Sequence, residues 1–130
     1  MHHASCLCGA VTFEVTGDLP CGDGCHCVNC RKSTGHFLAS VDLPRNRVTI
    51  TGEDNVTWYH SSKKVRRGFF KKCGATLFFD PLFQDWIGLS LGAFDGPTNT
   101  TLNLYTYTAQ KGDYYELEDH IEQHLEPPVG

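Results

Sequence analysis

Three thiols fall within six residues in the stretch Cys25-His26-Cys27-Val28-Asn29-Cys30, where a Cys-x-Cys overlaps a Cys-x-x-Cys and Arg31-Lys32 follow directly. Sulfurs so close along one loop cannot all pair with one another as disulfides, because a bridge demands set Cα separations and a near-perpendicular torsion. A soft divalent cation meets no such obstacle. Zinc accepts thiolates at about 2.3 Å in a tetrahedral shell, and one tightly turning loop can supply three corners. A corner left open separates a catalytic zinc from a structural one, so Cys25, Cys27 and Cys30 read as metal ligands and catalytic centre together. The competing reading is a closed zinc knuckle, with Cys21 or His26 in the fourth place.

A second group is spread along the chain. Cys6 and Cys8 form an early Cys-x-Cys, and Cys73 lies far downstream beside Gly74. Together they suggest a structural site in which one hairpin meets another. Such a site takes four protein ligands, and the place where a Cys-x-x-Cys would supply the fourth is Phe70. Cys21, four residues before Cys25, fits either group or neither.

Seven cysteines in 130 residues is a high and odd number. Met1 to Cys6 lacks the charged start, apolar middle and cleavage site of a secretory leader. Metal binding in a reducing, cytoplasmic setting is therefore expected over a disulfide framework. A net charge of −4 argues against a nucleic-acid-binding molecule. No apolar run approaches the roughly 20 residues that span a bilayer. The His2-His3 pair carries no pattern of its own.

The elements that must position these thiols read as one mainly β domain over residues 1–130. Val11, Phe13 and Val15 alternate with Thr12 and Glu14, the pattern of a half-buried strand. Pro20 to Gly24 reads as a loop delivering the chain to the thiols. Asn29 to Thr34 suits a short helix closed by Gly35, with its first N–H groups turned towards the sulfurs. Strand-like runs come next at Phe37–Val41, Val48–Thr51, Val56–Tyr59, Val65–Phe70, Ala75–Phe79, Trp86–Leu91 and Leu102–Thr108, with a hairpin expected across Ser61–Lys64. Leu117, Ile121 and Leu125 recur every four residues and suggest a short C-terminal helix.

Taken in order, these motifs resemble one family. Ser5-Cys6-Leu7-Cys8-Gly9, Cys25-His26-Cys27-x-x-Cys30-Arg31-Lys32-x-x-Gly35, Arg67-Gly68-Phe69 and Cys73-Gly74-x-x-Leu77-Phe78 are similar to the glutathione-dependent formaldehyde-activating enzyme family, which includes the centromere protein V domain. The resemblance extends to Leu91–Asp95 and Lys111–Tyr115. It implies a β-tent fold of twisted antiparallel sheets. It also implies a catalytic zinc on Cys25, Cys27 and Cys30. A structural zinc is implied on Cys6, Cys8, Cys73 and a fourth cysteine, whose place Phe70 takes here. One zinc is expected, with a second if the incomplete site recruits another ligand.

The implied activity is a carbon–sulfur lyase reaction, in which a small thiol such as glutathione joins a small aldehyde such as formaldehyde. Arg31, Lys32, Arg66 and Arg67 are candidates to hold the thiol's carboxylates, and water or His36 to deliver a proton to the adduct. His26 is expected to point away from the metal and orient the loop. The alternative from another class is a non-catalytic zinc-binding interaction module of the same fold.

Overall fold

The computed structural model describes residues 1–126 as two β-sheets and one short helix. The smaller sheet has the order β1-β2-β5, from His2–Ser5, Thr12–Val15 and Val48–Thr51, all antiparallel. Eight strands make the larger sheet. These are β3 (Gly22–Cys25), β4 (Leu38–Pro44), β6 (Thr57–His60), β7 (Val65–Phe69), β8 (Thr76–Pro81), β9 (Trp86–Ser90), β10 (Leu102–Thr106) and β11 (Glu122–Gln123). Their order is β11-β10-β3-β4-β9-β8-β7-β6. The pairs from β3 through β9 to β6 are antiparallel, whereas β10 runs parallel to both β3 and β11. The mainly β class expected from the sequence is the one observed.

Alternation decides which face of each strand is inside. Phe13 and Val15 are buried in β2 while Glu14 is exposed, as the sequence pattern requires. They meet Val41 and Leu43 of β4, Leu77 and Phe78 of β8, and Ile87 and Leu89 of β9 in one apolar core. The Phe13 and Phe78 rings lie 5.1 Å apart within it. Burying side chains of this size contributes roughly 1.5–3 kcal/mol each.

The opposite face of the large sheet mixes polar and apolar side chains. Register places Cys25 across from Leu38, Asp23 across from Ser40, Asp42 across from Gly88, Phe79 across from Gly88 and Arg67 across from Phe79. These residues therefore share a face, because strand neighbours directly opposite point the same way.

Three elements depart from the sequence reading. His2–Ser5, given no pattern from sequence, is a strand whose Ala4 is 2% exposed. Gly22–Cys25, read as loop, is an interior strand between β10 and β4. The C-terminal helix on Leu117, Ile121 and Leu125 is absent from the described residues. There the chain adds β11 beside β10, and Leu125 is exposed. Pro44 ends β4, as the predicted break implies, with a 3₁₀ turn over Arg45–Arg47 after it.

Candidate metal centre

Helix α1 (Val28–Thr34) begins inside the first motif, and Cys27 is its N-terminal cap. The Cys30 amide donates to Cys27 Sγ at 3.3 Å. Gly35 closes the helix at φ 85°, a left-handed conformation glycine adopts without penalty, and its N–H returns to the Arg31 carbonyl. The Val28 amide, left free by the helix geometry, donates to Gln110 Oε1 at 2.9 Å.

The end of β3 and the first turn of α1 thus gather Cys25, Cys27 and Cys30, whose sulfurs all lie within 4.8 Å of one another. Cys30 is fully buried and the other two half-buried. The Cys25 and Cys30 thiols, the Cys30 amide and the Arg67 guanidinium hold the Cys27 thiol far below the usual thiol range. In return Cys25 is pushed up by its bond to Cys27, and Cys30 by its bonds to Cys25 and Cys27. A donor set of three soft sulfurs sharing charge in one corner fits zinc.

Arg67 is the residue whose role the sequence understated. Its Nη1 donates to Cys30 Sγ at 3.3 Å and its Nε to Ser61 Oγ at 3.2 Å, and it is only 9% exposed. Among the described residues it has no carboxylate partner. A buried guanidinium needs an anion, and the thiolates are the anion offered. A bond of this charged kind contributes about 1.5–3 kcal/mol.

His26 points away from the sulfurs. Its Nδ1 meets the Gly24 carbonyl at 3.0 Å, and its ring stacks on Phe37 with centroids 4.6 Å apart. Tyr105 and Tyr115 complete an aromatic nest around it. Burial, as the main cause, lowers its pKa and favours the neutral ring.

Two cavities flank the centre. The larger, about 450 Å³, is walled by Asn29, Lys32 and Ser33 of α1 together with Tyr59, Ser61 and Arg67. The smaller, about 160 Å³, is bordered by Cys25 and Cys30 themselves. Lys32 therefore faces a cavity, whereas Arg31 borders neither. Arg66 is committed elsewhere, to Asp80 at 2.7 Å and over the Trp58 ring at 3.7 Å. His36 bonds Tyr114 Oη at 2.5 Å and also borders neither cavity.

Cys6, Cys8 and Cys73 form the second group, again within 4.8 Å of one another. Cys6 and Cys8 sulfurs stand 3.7 Å apart, close to the ~3.8 Å edge of a tetrahedral zinc–thiolate shell. The Val11 amide donates to Cys6 Sγ at 3.3 Å. The Ala75 backbone, first among several donors, holds the Cys73 thiol down at about 7. Phe70 keeps the backbone turn that delivers Cys73, its carbonyl accepting from Gly74, but its ring lies in the core. Cys21 is exposed and joins neither group among the described residues, and all seven cysteines are free of disulfides.

Known proteins share this arrangement of sequence and fold. The family described as glutathione-dependent formaldehyde-activating enzyme matches residues 1–110. An uncharacterised lyase of Schizosaccharomyces pombe is 27% identical over 123 residues, which is 89% of this chain and 85% of that protein. A Halomonas elongata protein with the provisional name glutathione-dependent formaldehyde-activating enzyme is 26% identical, covering 88% of this chain and 79% of its own. A crystal structure of a Rhodobacter sphaeroides protein superposes with a TM-score of 0.65 at 18% identity, over 80% of this chain and 99% of that one. That likeness concerns the fold.

Proposed function

Because the chain belongs to the glutathione-dependent formaldehyde-activating enzyme family, we propose that it is a zinc-dependent carbon–sulfur lyase joining a glutathione-like thiol to a small aldehyde such as formaldehyde. The observation that carries this reading is the Cys25–Cys27–Cys30 group opening on a cavity rather than closing on a fourth protein ligand. Zinc bound there would lower the pKa of an incoming thiol, so that it meets the aldehyde as thiolate.

The chain's own residues do the rest. Arg67 balances the charge of the sulfurs and holds Cys30 in place. The Cys30 amide fixes Cys27. A cavity of about 450 Å³ has the size of a small-molecule site. Lys32, Asn29 and Ser33 line it and offer a cation and hydrogen-bond donors to the carboxylates of a peptide-like thiol. No helix of the described residues is long and apolar enough to cross a membrane, and the reading needs none.

The test is formation of S-hydroxymethylglutathione from glutathione and formaldehyde, monitored by NMR against the spontaneous rate, with zinc counted per chain. We expect catalysis in the parent, and loss of both catalysis and about one zinc per chain in a folded Cys27→Ser variant. A parent that binds zinc, folds and never exceeds the spontaneous rate with any small thiol would leave the interaction module as the function.

A further inference from the structure

The cavity bordered by Cys25 and Cys30 holds a second kind of chemistry, the carboxyls of Asp23 and Asp42. Asp23, on β3, accepts from Ser40 Oγ at 3.2 Å. Asp42, on β4, has no hydrogen bond or ion pair among the described residues. It lies opposite Gly88 of β9, where a Cβ would stand 3.1 Å from Asp42 Oδ1 and 3.1 Å from Phe79 Cβ. Gly88 therefore leaves the niche that the carboxyl occupies. At about 160 Å³ the cavity is roughly five times a water's ~30 Å³ share of liquid, room for an aldehyde of one or two carbons.

Every other group facing Asp42 is poorer at moving a proton. β8 and β9 present Phe79 and Trp86, which are uncharged. Asp23 is tied to Ser40. Tyr107, at the end of β10, also borders the cavity. Its φ of 53° is a conformation that costs a bulky residue free energy. Burial first, then the charge on Cys27 and Cys25, pushes its phenol up, so the hydroxyl keeps its proton. Asp42 is an exposed residue that borders the cavity. Desolvation, with the Asp23 charge added, pushes its carboxyl up to about 7, near the optimum for acid–base work at neutral pH.

We propose that Asp42 is the acid–base residue of this site, the carboxyl that carries a proton from the incoming thiol to the aldehyde oxygen. The proposal rests on the lyase reading above. The thiol S–H gives its proton to the Asp42 carboxylate. A sulfur electron pair forms the C–S bond while the π pair of C=O moves to oxygen. Asp42 then returns the proton to that oxygen, leaving the hydroxymethyl adduct and a regenerated carboxylate, with nothing oxidised or reduced.

Full-length, zinc-loaded protein with saturating glutathione and formaldehyde tests this. We expect kcat of Asp42→Asn to fall about 100-fold or more, with zinc content and KM for glutathione retained. Parent kcat should fall tenfold per pH unit below about 7. That limb should be absent in Asp42→Asn and displaced to lower pH in Asp23→Asn, which removes a neighbouring negative charge. Urea denaturation supplies a readout without turnover. Between the ordinary 3.8 and about 7 the folded chain keeps a proton that the unfolded chain releases, so stability falls as pH rises through that window. Asp42→Asn should therefore be more stable than the parent at pH 8 and equal to it below ~4. An active parent with unchanged kcat and limb in Asp42→Asn overturns the proposal and spares the lyase reading. Loss of the limb in Tyr107→Phe instead also overturns it. A parent with no activity removes both.

Discussion

At position 70, where the family resemblance implies a fourth cysteine for the Cys6–Cys8–Cys73 group, a benzyl side chain lies in the core, 5% exposed. The backbone turn around it is intact, with Gly74 N–H on the Phe70 carbonyl and Phe70 N–H on Ala75. Replacing the ring by a thiol should thus have opposite effects in two conditions. In chelator, Phe70→Cys loses about 3 kcal/mol by opening a core cavity. In zinc, the completed shell restores and exceeds the parent's Tm, and zinc per chain rises from about one to about two. Equal zinc in parent and variant would show that three thiolates already hold the ion. Both thiol groups were legible in the sequence, because Cys25, Cys27 and Cys30 are local and Cys6, Cys8 and Cys73 carry recognisable spacings. Asp42 was not legible as a site residue, and Arg67 was legible as a candidate to hold the thiol's carboxylates but not as the partner of Cys30. Each reaches the site only through strand register, Asp42 by facing Gly88 and Arg67 by facing Phe79, and a single residue of slip would turn either away.

The element that the sequence hid is the one that delivers Cys25. Gly22-Asp23-Gly24 contains no strand-forming residue, yet it is an interior strand of the large sheet. Its neighbours explain this. A Cβ on Gly22 would lie 2.7 Å from Leu91 Cδ1, and one on Gly24 2.9 Å from Tyr105 Cδ1 and 3.0 Å from Phe37 Cδ2. The space a strand residue normally fills is taken by side chains from elsewhere, information no local window contains. Gly24→Ala should therefore cost about 1–3 kcal/mol in urea denaturation by overpacking. Because Cys25 is the next residue, zinc should also pass faster to a chelator. Unchanged stability would mean that the Phe37 and Tyr105 rings move aside freely. The failed C-terminal helix has the converse cause. A short isolated helix is marginal in water, and the backbone there bonds β10 instead, His124 N–H to Tyr105 and Thr108 N–H to the His124 carbonyl.

Across the whole molecule the thiol-bearing loop is held from three directions: the large sheet beneath it, β7 through Arg67, and the segment after residue 110. The family match ends at residue 110, yet the chain beyond that point packs against His26 and His36 on either side of the thiol loop. Tyr115 stacks on His26 with centroids 5.9 Å apart. Tyr114 Oη meets His36 Nδ1 at 2.5 Å, and Glu118 accepts from the Tyr105 hydroxyl at 2.5 Å. Lys111 Nζ, donating to the Tyr115 carbonyl at 2.7 Å, pins the strap at its start. None of these groups touches the sulfurs. They bury His26, and His26 sits between Cys25 and Cys27, so the strap acts on the centre by fixing the peptide that joins two ligands. Ending the chain after Gln110 keeps the Gln110 bond to the Val28 amide and the core between the sheets, so the truncated protein should fold. It should show faster amide exchange across Cys25–Cys30, and zinc should leave to a chelator severalfold faster, while exchange in β2 and β4 stays as in the full chain. Equal exchange at Cys25–Cys30 in both proteins would mean that the sheet and Arg67 alone set the geometry of the centre.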